Sequence, residues 1–291
     1  MSVHKPVLLN EVIEWLSIRS GMKIIDATLS GGGHAAGILE KYPDIKILGI
    51  EFDPDIFQEF QKTEVARKLA AVNDSYVNLK NIAEEHGFRP DGILFDLGLS
   101  SAHYESGRGF SFRRDEILDM RFNPRVTQTT AAELVNNSDP RELERILWEY
   151  GEEKFAPQIA KEIISARKEK PIIKTLDLVR AIERAVPEGY KKRKIHFATK
   201  TFQALRIAVN DELGNVRKGI EAAIEALNPG GRLVVITFQG LEDIIVKEIF
   251  KTKVKEGIIT LPHKGSIKPK WEEVKENPRA RSAKIKVAEK I

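Results

Sequence analysis

"IIDATLSGGGHAAGILE", residues 24–40, reads as an apolar strand, a glycine turn and a helix. Turns of this kind usually cradle phosphate, because glycine lets backbone approach a ligand and the helix N-terminus offers unpaired amides. Here the strand ends in an acid, Asp26, and Gly31, Gly32, Gly33 and Gly37 do not follow the Gly-x-Gly-x-x-Gly spacing of dinucleotide sites. A carboxylate at the turn would repel a pyrophosphate. A ligand with positive charge and no phosphate removes the conflict, and S-adenosylmethionine, with its sulfonium and ammonium, is such a ligand. The alternative for an acid at a strand end is structural: it caps a helix or closes a turn.

Working outward, "KILGIEFDP" is a second strand ending at Glu51, where doubly wound folds place the acid that accepts hydrogen bonds from ribose hydroxyls. A charged acceptor there is worth about 1.5–3 kcal/mol. Ribose alone does not separate NAD from S-adenosylmethionine; Asp26 and the missing fingerprint do. "DIFQEFQKTEVARKL" reads as helix, "AAVNDSY" as a third strand, "LKNIAEEHG" as helix and "PDGILFDLGLS" as a fourth strand, apolar almost throughout, as strands buried on both faces are. Upstream, Leu9, Val12, Ile13 and Leu16 share one side of an amphipathic helix over residues 8–17.

This alternation predicts an α/β fold with a mainly parallel, doubly wound sheet. From about Glu105 to about Lys194 it gives way to helices and loops, with Leu143, Ile146, Leu147 and Tyr150, then Phe155, Ile159 and Ile163, at helical spacing. That block reads as an inserted all-helical subdomain, residues 105–194, within a discontinuous sheet domain of residues 1–104 and 195–291. Beyond it, an Asn-Pro-Gly-Gly turn precedes a fifth strand, "RLVVITF", and a helix, "LEDIIVKEIFK". "SAKIKVAEK" alternates and is expected to be an edge strand.

The 291 residues contain no cysteine, which excludes disulfides, thiolate metal sites and a cysteine nucleophile. The apolar runs are strand-length, far below the ~20 residues of a membrane span. The N-terminal residues lack the pattern of a signal peptide, so a soluble cytoplasmic protein with no membrane partner is expected. The net charge of +4 fits a nucleic-acid partner without requiring one. The six histidines show no metal-ligand spacing, and no metal is expected.

Ligands of open α/β sheets bind outside the carboxyl ends of the strands. Asp96, leaving the fourth strand, either accepts a hydrogen bond from an amine undergoing methylation or caps its turn. Tyr76 either stacks an adenine or packs in the core. His103 lies near enough in sequence to touch the ligand. Lys191, Lys192, Arg193 and Lys194 either contact RNA phosphates or form solvated surface. Trp271, in a basic C-terminal stretch, either stacks a base or covers the sheet edge.

Several stretches are more specific. "HKPVLLNEVIEWL", "DATLSGGGHAAGIL", "DGILFDLGLSS", "RGFSFRRDEILDMRF", "IHFATKTFQALRIAVNDEL" and "ENPRARSAKIKVAE", in this order and spanning nearly the whole chain, closely resemble the ribosomal RNA small subunit methyltransferase H family. The resemblance implies a Rossmann-like S-adenosylmethionine-dependent methyltransferase with a helical insertion. It implies methylation of N4 of a cytosine in the decoding region of 16S rRNA, within the small ribosomal subunit or its precursor. The family's cofactor positions fall on Gly32, Gly33 and His34, then Glu51, Tyr76, Asp96 and His103. The chain departs from the family pattern with Glu51 for Asp, Tyr76 for Phe and His103 for Gln. "FQGLED" replaces a Phe-His-Ser-Leu-Glu-Asp run, leaving Gln239 where the family has histidine, and "DLGLS" stands in place of the amine-methylating Asp-Pro-Pro-Tyr. The rival expectations are methylation of another base or of a protein, an NAD-dependent oxidoreductase, and a non-enzymatic ribosome-assembly factor.

Overall fold

Consecutive residues of the apolar strands go to opposite faces of one sheet. A computed structural model describes residues 6–291; residues 1–5, among them His4 and Lys5 at the head of "HKPVLLNEVIEWL", lie outside the described residues. The strands are β1 (Lys23–Asp26), β2 (Lys46–Glu51), β3 (Ala70–Asn73), β4 (Gly92–Asp96), β5 (Arg232–Thr237), β6 (Ile259–Thr260) and β7 (Lys284–Lys290), in the order β3-β2-β1-β4-β5-β7-β6. β1 to β5 pair in parallel, whereas β7 runs antiparallel to both β5 and β6.

The period of two is visible in the cores. Ile24, Ile47, Leu94, Val234 and Ile236 belong to one cluster, with Val12 and Leu16 of the helix Leu9–Leu16 and Ile38 of the helix Gly33–Lys41. Ile25, Leu48, Ile93, Phe95, Leu233 and Val235 belong to the other, with Ile82 of Leu79–Glu85, Ile220 of Glu212–Ala226 and Val246 of Gly240–Lys255. Burial on both faces is why these strands read as unbroken apolar runs. Each fully buried Ile or Leu contributes roughly 1.5–3 kcal/mol.

Two expectations about the sheet change. "SAKIKVAEK" is not an edge strand: β7 lies between β5 and β6, and its residues 285–288 are all buried. The helix expected over "DIFQEFQKTEVARKL" stops at Gln61 and is followed by a separate 3-10 turn, Val65–Arg67.

The chain divides into two compact units, the described residues up to Gly98 with Leu213–Ile291, and Leu99–Glu212. Residues 99–104 and 195–212, expected with the sheet domain, therefore belong to the helical unit. Phe202, Leu205 and Val209 of the helix Thr199–Asn210 join its core beside Leu143, Ile146 and Ile159. Asp211, in the left-handed region with φ 45°, separates Thr199–Asn210 from Glu212–Ala226. Within the unit, Asn210 ties the helix Thr199–Asn210 to the distant segment 120–122. Its Oδ1 accepts from Phe122 N–H at 2.7 Å and its Nδ2 donates to the Met120 carbonyl at 2.7 Å. Among the described residues no helix is long and apolar enough to cross a membrane.

Candidate active site

β1, β2 and β4 each end in an acid at the same edge of the sheet: Asp26, Glu51 and Asp96. β1 and β4 are neighbours although a β-α-β series separates them in sequence, so the connections reverse direction between them. That is the switch point where open α/β sheets form their ligand crevice.

Glu51 organises the glycine turn. Its Oε2 accepts from Ser30 N–H at 2.8 Å and its Oε1 from Asp53 N–H at 2.7 Å, which pins the turn to the end of β2. The turn needs left-handed backbone at Ser30 (φ 48°) and Gly32 (φ 75°). A Cβ on Gly32 would lie 2.7 Å from the Phe60 ring, whereas one on Gly31 would meet nothing within 4 Å. Gly32 is thus required for packing, and Gly31 leaves the backbone open to an approaching molecule. Gly33 begins the helix Gly33–Lys41, which has no side-chain cap, so its first-turn amides remain for water or a ligand. Gly37 has another purpose: a Cβ there would strike Leu9 at 2.4 Å, so it permits two helices to pack closely.

Burial governs the charges. Asp26 is 3% exposed, and burial lifts its carboxyl to about 6 despite the opposing pull of His34. Glu51, 7% exposed, is lifted to about 7 by burial, against the hydrogen bonds it accepts. Burial alone takes Asp96 to about 7. His34 is held below its ordinary value by the same desolvation. Its Nε2 donates to the Val7 carbonyl at 2.9 Å, which leaves the Nδ1 lone pair of the neutral ring 3.6 Å from Asp96 Oδ2.

Asp96 does not cap its turn. Its own N–H donates to Thr28 Oγ1 at 2.7 Å, while its carboxylate receives no backbone amide and its buried Oδ1 has no hydrogen-bond partner. An unpaired buried carboxylate oxygen costs stability. Supporting residues that carry no sequence signal complete this edge. Thr28 holds Asp96, Asn73 Nδ2 donates to the Glu51 carbonyl at 2.7 Å, and the buried Asp53 caps the helix Pro54–Gln61.

The remaining candidates are differently placed. Tyr76 packs edge-on against Phe95 at 5.4 Å and fills the space that a Cβ on Gly219 would need, 2.5 Å away. His103 belongs to the helical unit. Its ring contacts Phe110 at 5.3 Å and Phe122 at 4.9 Å, and its Nδ1 accepts from Ser100 N–H at 3.2 Å. In the basic run, Lys191 is already paired with Glu188 at 2.7 Å and Arg193 lies over the Tyr190 ring at 5.0 Å, whereas Lys192 and Lys194 are exposed. Trp271 covers nothing: it is 74% exposed. Gln239 replaces the resembled family's histidine at the N-cap of Gly240–Lys255, bonded through Nε2 to Glu242 at 2.7 Å. Among the described residues no group of three or more His, Asp or Glu side chains is placed to hold a metal ion.

The model of the MraW methylase family matches residues 1–291. The chain belongs to the MraW methylase family. Ribosomal RNA small subunit methyltransferase H of Dictyoglomus thermophilum is 44% identical over 295 residues, covering 99% of this chain and 97% of that protein. The protein of the same name from Thermosipho melanesiensis is 44% identical over 293 residues, covering 99% and 98%. A solved rRNA methylase from Streptococcus thermophilus aligns over 97% of this chain and 93% of its own with a TM-score of 0.43 and 11% identity. This chain's own sheet order and its family membership make it a Rossmann-like methyltransferase. Its site suits S-adenosylmethionine on its own chemistry: buried acids for a cationic nucleoside, an open glycine backbone and uncapped helix amides for the carboxylate of its methionine portion.

Proposed function

We propose that this methylase transfers the methyl group of S-adenosylmethionine to N4 of a cytosine in 16S rRNA, acting on the small ribosomal subunit or its precursor. The observation that carries the reading is the trio of acids at the ends of β1, β2 and β4, with Asp26 and Glu51 buried and Asp96 partly exposed. Full-length kinship with small-subunit rRNA methyltransferases supports the substrate class.

In this reading Asp26 pairs with the ammonium, and the amides of Gly31, Gly33 and His34 take the carboxylate, that of Gly32 being bonded to the Leu29 carbonyl. Glu51 receives the ribose hydroxyls through the lone pairs not already engaged by Ser30 and Asp53. Tyr76 borders the adenine. The family pattern also counts His103, a residue of the helical unit, among its cofactor positions. S-adenosylmethionine supplies an electrophilic methyl carbon and a neutral thioether leaving group.

Asp96 answers the chemical difficulty of the reaction. An exocyclic amine on cytosine is a weak nucleophile because its lone pair is delocalised into the ring. The partly exposed carboxylate of Asp96 accepts one N–H and so aims the nitrogen lone pair at the methyl carbon. As the N–C bond forms and the S–C bond breaks, the nitrogen becomes acidic, and a carboxyl held near 7 accepts its proton. Neutral His34, with its Nδ1 lone pair 3.6 Å from Oδ2, stabilises the protonated acid until solvent removes the proton. The cytosine must leave its stack to reach this site, at a cost of a few kcal/mol that is smallest in unpaired RNA. The helical subdomain and the basic run 191–194 grip the RNA.

The direct test is nucleoside mass spectrometry of 16S rRNA from small subunits incubated with protein and labelled S-adenosylmethionine. N4-methylcytidine is expected. Label on another base or on protein would replace the substrate assignment, and no label at all would favour an assembly factor.

A further inference from the structure

Beyond β4 the carboxyl edge of the sheet changes sign. A cavity of about 350 Å³ opens at the ends of β5 and β7, lined by Lys268, Arg281 and Lys284 together with Gln239, Phe238 and Val274. No carboxylate lines it. Lys268 and Arg281 are exposed and make no ion pair among the described residues. Lys284 lies 3.8 Å from Asp243, but that carboxylate already serves Lys247 at 2.7 Å and Lys286 at 3.1 Å, so three lysines share one acid.

The frame that carries these cations is firmly held. Ile267 and Ile285 exchange backbone hydrogen bonds of 3.0 and 2.8 Å, Glu273 accepts from Leu8 N–H at 2.6 Å, and Ala280 and Ala283 are buried. Gathering unpaired cations around a cavity on fixed backbone adds repulsion and no packing. The arrangement makes sense if an anion enters. Trp271 is three residues before Val274 on the same short helix, which puts it on the face of the cavity wall, with its ring exposed.

The position is informative. Asp96 on β4 is level with Ile236 on β5, and Lys284 on β7 is level with Thr237. A Cβ on Gly98, just past Asp96, would touch the Phe238 ring at 3.3 Å. With strands about 4.8 Å apart, Lys284 lies roughly two strand spacings from Asp96, a span that one nucleotide bridges. We propose that this cavity holds a backbone phosphate of the RNA strand beside the target nucleotide, with Trp271 as a stacking platform for a flanking base; this rests on the methyl-transfer reading above. A cationic cavity would also take an acidic peptide, but an exposed indole on its rim is what single strands use.

The test uses the full chain and a labelled RNA fragment of the 16S decoding region, titrated by fluorescence anisotropy across a salt series. The double variant Lys268→Ala/Arg281→Ala should bind RNA on the order of ten-fold more weakly, with the salt slope reduced by about 0.7 to 1.4. Trp271→Ala should bind roughly ten-fold more weakly with an unchanged slope. Both should keep wild-type S-adenosylmethionine affinity and melting temperature, because none of the three side chains is buried. Wild-type RNA affinity and slope in both variants would overturn the subsite while leaving the methyltransferase reading intact, provided wild type labels RNA. Competition by polyglutamate but not by unlabelled RNA would assign the cavity to a protein partner and also overturn it. A wild-type protein that neither binds nor labels RNA would defeat the functional reading itself.

Discussion

One sheet edge carries two opposite chemistries. At β1, β2 and β4 stand three acids, Asp26 and Glu51 buried and Asp96 partly exposed, whose carboxyls are all lifted above their ordinary range; at β5 and β7 the same edge is open and basic. A buried acid costs stability, whereas an exposed lysine costs almost nothing, so the two stretches record different demands. The acidic stretch awaits a small cation that must be enclosed and stripped of water. The basic stretch suits a large polyanion that remains partly solvated. An enzyme joining a cationic methyl donor to a nucleic acid needs both, and needs them adjacent.

The largest effect is expected where the two stretches meet. Asp96→Asn keeps size and polarity but removes the proton acceptor, and turnover should fall on the order of 100- to 10,000-fold with RNA affinity unchanged. Equal losses of turnover and RNA binding would make Asp96 structural. Next comes Asp26→Asn. Its S-adenosylmethionine affinity, measured by calorimetry, should fall roughly ten- to a hundred-fold, the worth of a charge-assisted contact of ~1.5–3 kcal/mol.

The same variant sharpens the comparison from the stability side. Asp26, Glu51 and Asp96 hold protons in the folded state that the unfolded chain releases near pH 4. Without ligand, these groups therefore make stability fall as pH rises from about 4 to about 7. Asp26→Asn should melt a few degrees above wild type at pH 8 and level with it at pH 4. A lower melting temperature at pH 8 would mean that the ionised carboxylate is already compensated.

A smaller contrast separates the glycines. Gly37→Ala should destabilise the protein by about 1–3 kcal/mol through the clash with Leu9 and leave ligand affinity alone. Gly31→Ala meets open space, so it should spare stability and weaken S-adenosylmethionine binding. The reverse pattern would move the ligand off the turn. The smallest effect is expected in the helical unit. Neutralising Lys192, Arg193 and Lys194 should flatten the salt dependence of RNA binding, while Lys191→Ala, already paired with Glu188, should change it little.

Much of the sheet was legible in the sequence because burial on both faces leaves unbroken apolar runs bounded by acids. Asp26, Glu51 and Asp96 could be placed at strand ends for that reason. Other features left no local signal. β6 is two residues long, too short for any period. The insertion of β7 between β5 and β6 is a choice of partner, which alternation does not encode. The helix Thr199–Asn210 is visibly amphipathic, but amphipathicity does not say which core receives Phe202 and Leu205. Trp271 looked like an edge cover, since an exposed indole and a packed one read alike in sequence. The contact between His34 and Asp96 joins a helix to a strand end and is invisible until the chain folds.

The most direct test of the central claim, that buried acids await a cation, is calorimetry of S-adenosylmethionine binding at pH 5, 6 and 7 in buffers of different ionisation enthalpy. Over this range the ligand's own amine stays largely charged, so any proton released comes from the protein. Affinity should rise by up to about ten-fold per pH unit for each acid that must ionise, with protons released to buffer at pH 6. Affinity that is flat from pH 5 to 7, with heats independent of the buffer, would contradict the account.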